Sequence, residues 1–295
     1  MAKRQKKNTL AEDKGNLGFW GWIVTVVFAV YTLCLLVPYV YAAFASVSNY
    51  KEYYLNIFPF PSGGIKWENY ADAWNNLKHE GNGVPEMILN SLWFAGGSAI
   101  LNVFLSSCGA YICAKYKFRG RSFLYWFALI TMMIPVVGSM PSQLKFISNM
   151  GVYNSRMYIF VNAATIGATF IIMYGCFRNL DWAYAEAAFM DGAGHFTVFF
   201  KIMLPQVISP MTALILSDFI MGWANVENSL VYYPELPTLS TGLYHFRSIV
   251  ITAEGMRRYP AYFAAILLCT IPTVALFAIF QKKLMDIQLS GGIKG

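Results

Sequence analysis

The feature that most restricts this chain is the run from Trp20 to Phe44, which carries no charged residue. A helix needs ~20 mostly apolar residues to cross the hydrocarbon of a bilayer. This run is long enough to do so, and too long for the core of a signal peptide. It also lacks an evident small-residue cleavage site. The preceding residues 1–19 are basic and polar, so the run is expected to be a first membrane span with that tail on the cytoplasmic side. Further apolar runs follow at Met87–Ala114, Ser122–Met140, Met157–Phe177, Gln206–Asn228 and Tyr259–Phe280. The expected fold is therefore an all-α membrane protein with six transmembrane helices. Composition agrees: 57% of the 295 residues are hydrophobic and 13% are charged, against roughly 45–50% and about 25% in soluble domains.

Charge placement sets the expected orientation. Lys115, Lys117, Arg119 and Arg121 crowd the end of the second run, and Lys282, Lys283 and Lys294 follow the sixth. With the basic tail, Arg178 and Lys201, these place 14 of the 22 cations on one side. That side is cytoplasmic by the positive-inside rule, with both termini there. Arg257 and Arg258 fall on the other side and fit this assignment least well. Residues 45–86 form an extracellular segment, punctuated by Pro59, Pro61, Gly63 and Gly64, with one short helix near Trp67–Leu77. The five cysteines lie in or at the ends of apolar runs without metal or disulfide spacing. They are read as packed small hydrophobes.

One stretch between apolar runs departs from the rest. Residues 181–205 read DWAYAEAAFMDGAGHFTVFFKIMLP. Its Asp181, Glu186, Asp191, His195 and Lys201 are costly in hydrocarbon. It is not built like a flexible linker either. Ala183 to Met190 favour helix, Gly192 and Gly194 break it, and Phe196, Phe199, Phe200, Met203 and Leu204 recur at helical spacing. The expected shape is a short helix, a tight glycine turn and a second short helix, forming a firm knob on the water side.

Glu186-Ala187-Ala188, then Gly192, then Ile202-x-Leu204-Pro205 resembles the EAA loop of binding-protein-dependent ABC importer permeases. Asn90-Ser91, Ala110-Tyr111, Phe118-x-Gly120-Arg121, Pro135, Gly151 and Asn154 are similar to the carbohydrate (maltose-type) subgroup. So is the tail Gly291-Gly292-Ile293-Lys294-Gly295. The resemblance implies a type I ABC importer transmembrane domain over residues 87–281, with a C-terminal tail at 282–295. It implies that 181–205 holds a coupling helix seated in a groove of an ATPase, with Glu186, Ala187, Ala188, Gly192, Ile202, Leu204 and Pro205 as coupling positions. Gly292, Lys294 and Gly295 would reach the ATPase as well. Implied partners are a second homologous permease, two ATPase subunits, an extracellular solute-binding protein and a carbohydrate, in a bacterial cytoplasmic membrane. ATP and Mg would sit on the partner subunits, with no cofactor in this chain. One departure is Trp223-Ala224-Asn225, where many sugar permeases place Trp and Asn adjacent, so no substrate contact is carried over there.

The residues themselves show no chemistry for an enzyme. No GxxxxGK[ST] loop, HExxH or GxSxG occurs, and Gly192-x-Gly194 lacks the strand and third glycine of a dinucleotide site. Nothing points to nucleic acid. Function must come from coupling a partner's ATP cycle to two states of the membrane domain. Asp218, mid-run in the fifth apolar stretch, is either a pathway group or an internal hydrogen-bond partner. Trp223, Asn225, Glu227 and Asn228 follow it, and suit a sugar's apolar face and hydroxyls; interfacial anchoring also accounts for Trp223. Asn90, Asn102, Gln143 and Asn162 are weaker pathway candidates. An ion-coupled secondary transporter is the alternative class and would be built on inverted repeats; no internal repeat is evident. A membrane scaffold is the third reading.

Overall fold

The computed structural model describes residues 18–134, 138–163, 166–252 and 258–291, with side chains as far as Ile279. Pro135, Arg257, residues 1–17 and the tail positions Gly292, Lys294 and Gly295 lie outside the described residues. All the regular elements described are helical; the one β-bridge is the His79–Asn82 pair.

Helix α1 spans Phe19–Val47 and exposes nearly all of its apolar surface, from Phe19 to Val40. A helix apolar on every side with so little contact is a membrane span rather than a core helix. Only its far end is anchored, where Ala42, Ala45 and Ser46 are buried. Residues 48–66 fold back over that end. Ser48 Oγ donates to Pro59 O (2.6 Å), and Asn69 Nδ2 donates to Ser46 O (2.8 Å) and Ser48 O (3.0 Å). Two short helices, α2 (Tyr50–Leu55) and α3 (Glu68–Asn76), complete this segment. The Glu52 carboxylate organises its turn by accepting from the Gly63 and Asn49 amides (2.6 and 3.1 Å) and the Ser62 hydroxyl (3.0 Å). These backbone and hydroxyl donors hold its pKa below the usual carboxylate value.

Helix α4 runs unbroken from Val84 to Lys115, long and apolar enough to cross a membrane. Its turn Leu92–Gly97 is π-helical, an insertion that rotates the side chains after it relative to those before it. Asn90 and Ser91 are buried at its start. Asn90 Nδ2 donates to Pro237 O (3.2 Å) and Ser91 Oγ accepts from Leu239 N (2.8 Å). Asn90 thus holds a loop in place and is removed from the pathway candidates.

The next two runs are more broken than hydropathy suggests. Helix α5 covers Arg121–Met133 and stops before Met140, and the connection expected after it begins with helix α6 (Met140–Asn149). The run Met157–Phe177 is divided into α7 (Tyr158–Asn162) and α8 (Ala168–Asn179). Ala163 has turned extended, and Gly167 precedes the restart. Hydropathy sees one apolar stretch, whereas the backbone needs a left-handed or extended residue to redirect a helix, and such residues are also apolar here.

Helices α9 (Ala183–Met190) and α10 (His195–Gln206) form the polar loop region. Helix α11 (Ile208–Ala224) follows after a 75° bend at Val207. The fifth run therefore ends at Ala224. Glu227 and Asn228 stand on a separate short helix, α12 (Glu227–Tyr232), after Asn225 turns extended. Helix α13 (Leu239–Val250) and the long α14 (Tyr259–Gly291) complete the chain. Among the described residues, α1, α4 and Tyr259–Ile279 of α14 each meet the length and hydropathy of a span, and the bent α10–α11 pair makes a fourth.

Three buried clusters hold these helices together. One joins Met87, Ala95 and Ala99 of α4 to Phe219 and Trp223 of α11 and to Ala261, Ala264 and Ala265 of α14. A second joins Val103 and Tyr111 of α4 to Met173 and Phe177 of α8 and to the loop. The third gathers Phe94, Tyr158, Tyr232 and Tyr233 at the far end. Small residues let α4 and α11 meet closely: a Cβ on Gly222 would lie 3.3 Å from the Ala95 backbone.

Candidate functional site

Two features stand apart from helix packing: the polar loop at one end of the bundle and a polar cavity at mid-span.

The loop is rigid for reasons written in its backbone. Asp181 Oδ1 accepts from Ala183 N (3.0 Å) at the start of α9, which satisfies one free amide of the first turn. At the other end Gly192 adopts φ +81. Its N–H reaches Phe189 O (3.0 Å) and the Ala193 N–H reaches Ala188 O (2.9 Å). That pair of bonds is a Schellman C-cap, and its left-handed residue favours glycine. Lys115 Nζ donates to Leu180 O (2.6 Å), and Tyr116 Oη is 2.8 Å from His195 Nδ1. Both contacts tie the loop to the end of α4. Residues Val198–Met203 of α10 are π-helical and bury Val198, Phe199 and Met203 against Tyr111 and Phe177.

The residues expected to couple divide between two faces. Glu186, Ala187 and Gly192 are exposed, and a Cβ on Gly192 would meet open space. Ala188 is turned inward and buried with Ala185, so it is not available to a partner. The reason is the i, i+3 spacing of those two alanines, which puts them on the inner stripe of α9. Phe189 is likewise internal, 5.0 Å from the His195 ring and 6.1 Å from Trp182. The large apolar side chains that the loop does expose are Met190, at 87%, and Phe196, at 82%. Ile202 and Leu204 are half-buried and Pro205 is exposed near the bend.

The cavity lies between α4, α7, α11 and the α12 region, with a volume of about 300 Å3. Asn102 Nδ2 of α4 donates to Asp218 Oδ2 of α11 (2.7 Å). Asn102 Oδ1 is buried and has no hydrogen-bond partner. Ser98, Asn162, Asn225 and Asn228 also line the space. Asn225 Oδ1 caps α12 by accepting from Asn228 N (2.8 Å), and Tyr158 Oη donates to Asn162 Oδ1 (3.3 Å). One wall is aromatic: Phe94 and Tyr233 stack at 3.8 Å, with Tyr158 5.1 Å from Tyr233.

Of the pathway candidates, the structure brings together Asp218, Asn225, Asn228, Asn102 and Asn162. It does not bring Trp223 there. That indole is buried against α14 and donates to Cys269 O (3.2 Å), because residue 223 lies about 140° round α11 from Asp218. Glu227 is exposed on α12 and is not part of the lining. Gln143 accepts from Tyr232 Oη (2.8 Å) and belongs to the support behind the aromatic wall. Asn154, at φ +55, fixes the same wall: its N–H donates to Tyr232 O (2.8 Å) and its Oδ1 accepts from Glu235 N (3.0 Å). The aromatic members Phe94, Tyr158 and Tyr233 escaped the sequence reading. The Tyr232-Tyr233 pair was the one available signal.

Residues 106–285 match the family of binding-protein-dependent transport system inner membrane components. The chain belongs to this family. Its membership includes the loop and the cavity's α11 side, and it decides against the ion-coupled alternative and the scaffold. Among similar proteins is the diacetylchitobiose uptake system permease NgcG of Streptomyces coelicolor, 26% identical over 86% of this chain and 82% of that protein. The melibiose/raffinose/stachyose import permease MelC of Bacillus subtilis is 25% identical over 92% and 96%. The sn-glycerol-3-phosphate transport system permease UgpE of Yersinia pestis is 27% identical over 85% and 89%. A solved bacterial ABC transporter involved in import of the acidic polysaccharide alginate superposes with a TM-score of 0.75, at 21% identity, covering 89% of this chain and 95% of that one. The likeness establishes the fold of an ABC transporter membrane subunit. This family member is thus a transport permease of the inner membrane, built to work with a binding protein.

Proposed function

We propose that the protein is one of two permease subunits of an ATP-driven importer that moves a carbohydrate, in particular an oligosaccharide, by alternating access. The observation that carries this is the loop: a capped, two-helix knob that presents Glu186, Ala187, Met190 and Phe196 outward while its inner face is locked to α4 and α8. A rigid element joined to the spans can transmit a partner's closure, whereas a flexible one would absorb it. In this reading the loop seats on an ATPase subunit in the cytoplasm, and ATP and Mg belong to that subunit. The chain crosses the membrane six times, with both termini inside and residues 45–86 outside. The tail residues Gly292, Lys294 and Gly295 extend the same ATPase contact. A second permease covers the exposed apolar faces, and a solute-binding protein delivers the sugar from outside.

The carbohydrate assignment is supported by relatives named for diacetylchitobiose and for melibiose, raffinose and stachyose. It is also supported by the cavity's chemistry. Carboxamides and phenols supply paired donors and acceptors for hydroxyl groups, and stacked rings supply an apolar face. The test is reconstitution of the full complex and measurement of sugar-stimulated ATP hydrolysis, together with crosslinking from Ala187→Cys. Capture of the ATPase and stimulation by an oligosaccharide are expected. No ATPase adduct in any nucleotide state would overturn the coupling assignment.

A further inference from the structure

The names of similar proteins span neutral sugars, a phosphate ester and an acidic polysaccharide, so they leave the charge of this protein's substrate open. The cavity does not. At mid-helix its wall carries the Asp218 carboxylate, whose Oδ2 accepts from Asn102 Nδ2 and which leaves acceptor capacity for a ligand. The remaining polar groups on its walls are carboxamides and hydroxyls, and no lysine, arginine or histidine is among its described lining residues. Such a site wants hydrogen-bond donors. A neutral sugar brings hydroxyls and an amino sugar brings an ammonium group, and both can donate to the Asp218 carboxylate. A uronate or phosphate brings a second negative charge next to Asp218 with no cation to offset it.

Resting on the carbohydrate-import reading, we propose that Asp218, held by Asn102, is a charge filter: it admits neutral and amino-bearing sugars and rejects uronates and sugar phosphates. Two like charges about 5 Å apart in a partly desolvated cavity disfavour binding on the order of 100-fold. Position adds to the effect. Asp218 and Asn102 each sit near the middle of a long helix, where water is least able to screen the repulsion.

The opposite face of α11 supplies the competing geometry. There a larger trough of about 740 Å3 lies between α11, α13 and α14, lined by Trp223, Tyr262 and, as the one cation among the described lining residues, Arg247. A substrate path on that side would favour anions. The two faces therefore predict opposite selectivities.

The experiment is equilibrium binding of three disaccharides to the purified, full permease–ATPase complex: cellobiose, the glucosamine dimer and digalacturonate. The wild type is expected to bind the first two at least tenfold more tightly than the third. Asp218→Asn should bring digalacturonate to within about threefold of cellobiose, and Asp218→Glu should restore the discrimination. Unchanged size-exclusion profiles for both variants establish that the complex is intact; the wild-type comparison of cellobiose with digalacturonate carries the test if the Asn variant does not assemble. Equal wild-type affinity for all three sugars would overturn the filter, as would an Asp218→Asn change of the same factor for each. Digalacturonate binding that disappears in Arg247→Ala would also overturn it and place the path on the other face. Binding of no sugar at all defeats the carbohydrate reading itself, a result distinct from sugars bound without regard to charge.

Discussion

Asn102 Nδ2 donates to Asp218 Oδ2 across 2.7 Å, joining α4 and α11 near the middle of both helices. The bond is interhelical, yet its partners also face the cavity, so a structural and a pathway role coexist at one position. Asn102→Leu removes the donor and fills part of the cavity. An interhelical hydrogen bond in a membrane is worth about 0.6 kcal/mol, reaching ~1.7 at most. The expected outcome is a loss of stability in that range, read from unfolding in detergent, with a much larger loss of transport. Equal loss of both would assign the pair to structure alone.

Gly192 has φ +81 with open space where a Cβ would go. Asn and Asp tolerate this conformation and β-branched residues do not. Gly192→Asn should leave the loop intact, whereas Gly192→Val should cost about 1–2 kcal/mol of local stability. Gly192→Asp keeps the turn but adds charge on the exposed side. It is expected to insert in the membrane and fail to transport. Hydrogen exchange across α9, measured beside uptake, separates the two effects; normal uptake by the Asp variant would refute the coupling role.

Met190 and Phe196 are the most exposed apolar side chains of the loop. Replacing both with Ser should change the stability of the isolated permease by no more than ~0.5 kcal/mol per site. Retention of the ATPase on an affinity column should fall at least tenfold. Full retention would show that the partner docks elsewhere.

The Glu52 carboxylate accepts from two amides and a hydroxyl, and these lower its pKa. A lowered folded pKa means that the ionised form stabilises the turn. The contribution is present above the unfolded value of about 4.3 and is lost as pH falls through the lower folded value. Protection factors of the Asn49 and Gly63 amides, taken relative to intrinsic exchange at each pH, should therefore fall below about pH 4.5, and Glu52→Gln should abolish that fall.

His79 and His245 stack with ring centroids 3.6 Å apart, and His245 Nε2 is buried without a partner. Burial first, and then His79, push the His245 pKa below 6.5, with Glu80 opposing. Folding thus favours the neutral ring. Its full stability is present above the unfolded pKa of ~6.5 and declines as pH drops from there toward the folded value. The melting temperature should fall between pH 6.5 and pH 5 in the wild type, and the fall should be smaller in His245→Phe.

Much of this was legible in the chain because it depends on local chemistry. The loop's helix-glycine-helix form follows from Ala-rich propensity, a left-handed glycine and spaced aromatic residues, all within 25 residues of 181–205. The short helix expected near Trp67–Leu77 appears as Glu68–Asn76. What did not follow were the directions of side chains. Trp223 and Asp218 are five residues apart on one helix, yet one is packed on α14 and the other opens into a cavity. Likewise Ala187 and Ala188 are neighbours that face opposite ways.

The sequence by itself determined a helical membrane protein with a structured polar loop, because hydrocarbon length and backbone conformation are set by runs of a few residues. Only the tertiary structure decided where those runs break, which face of each helix is covered, and that Asn102, Asp218 and an aromatic wall share one cavity. The physical reason is rotational: a single π-helical turn at Leu92–Gly97, or a bend at Val207, re-aims every side chain beyond it. Where those side chains then land depends on helices distant in the chain, not on residues nearby in it.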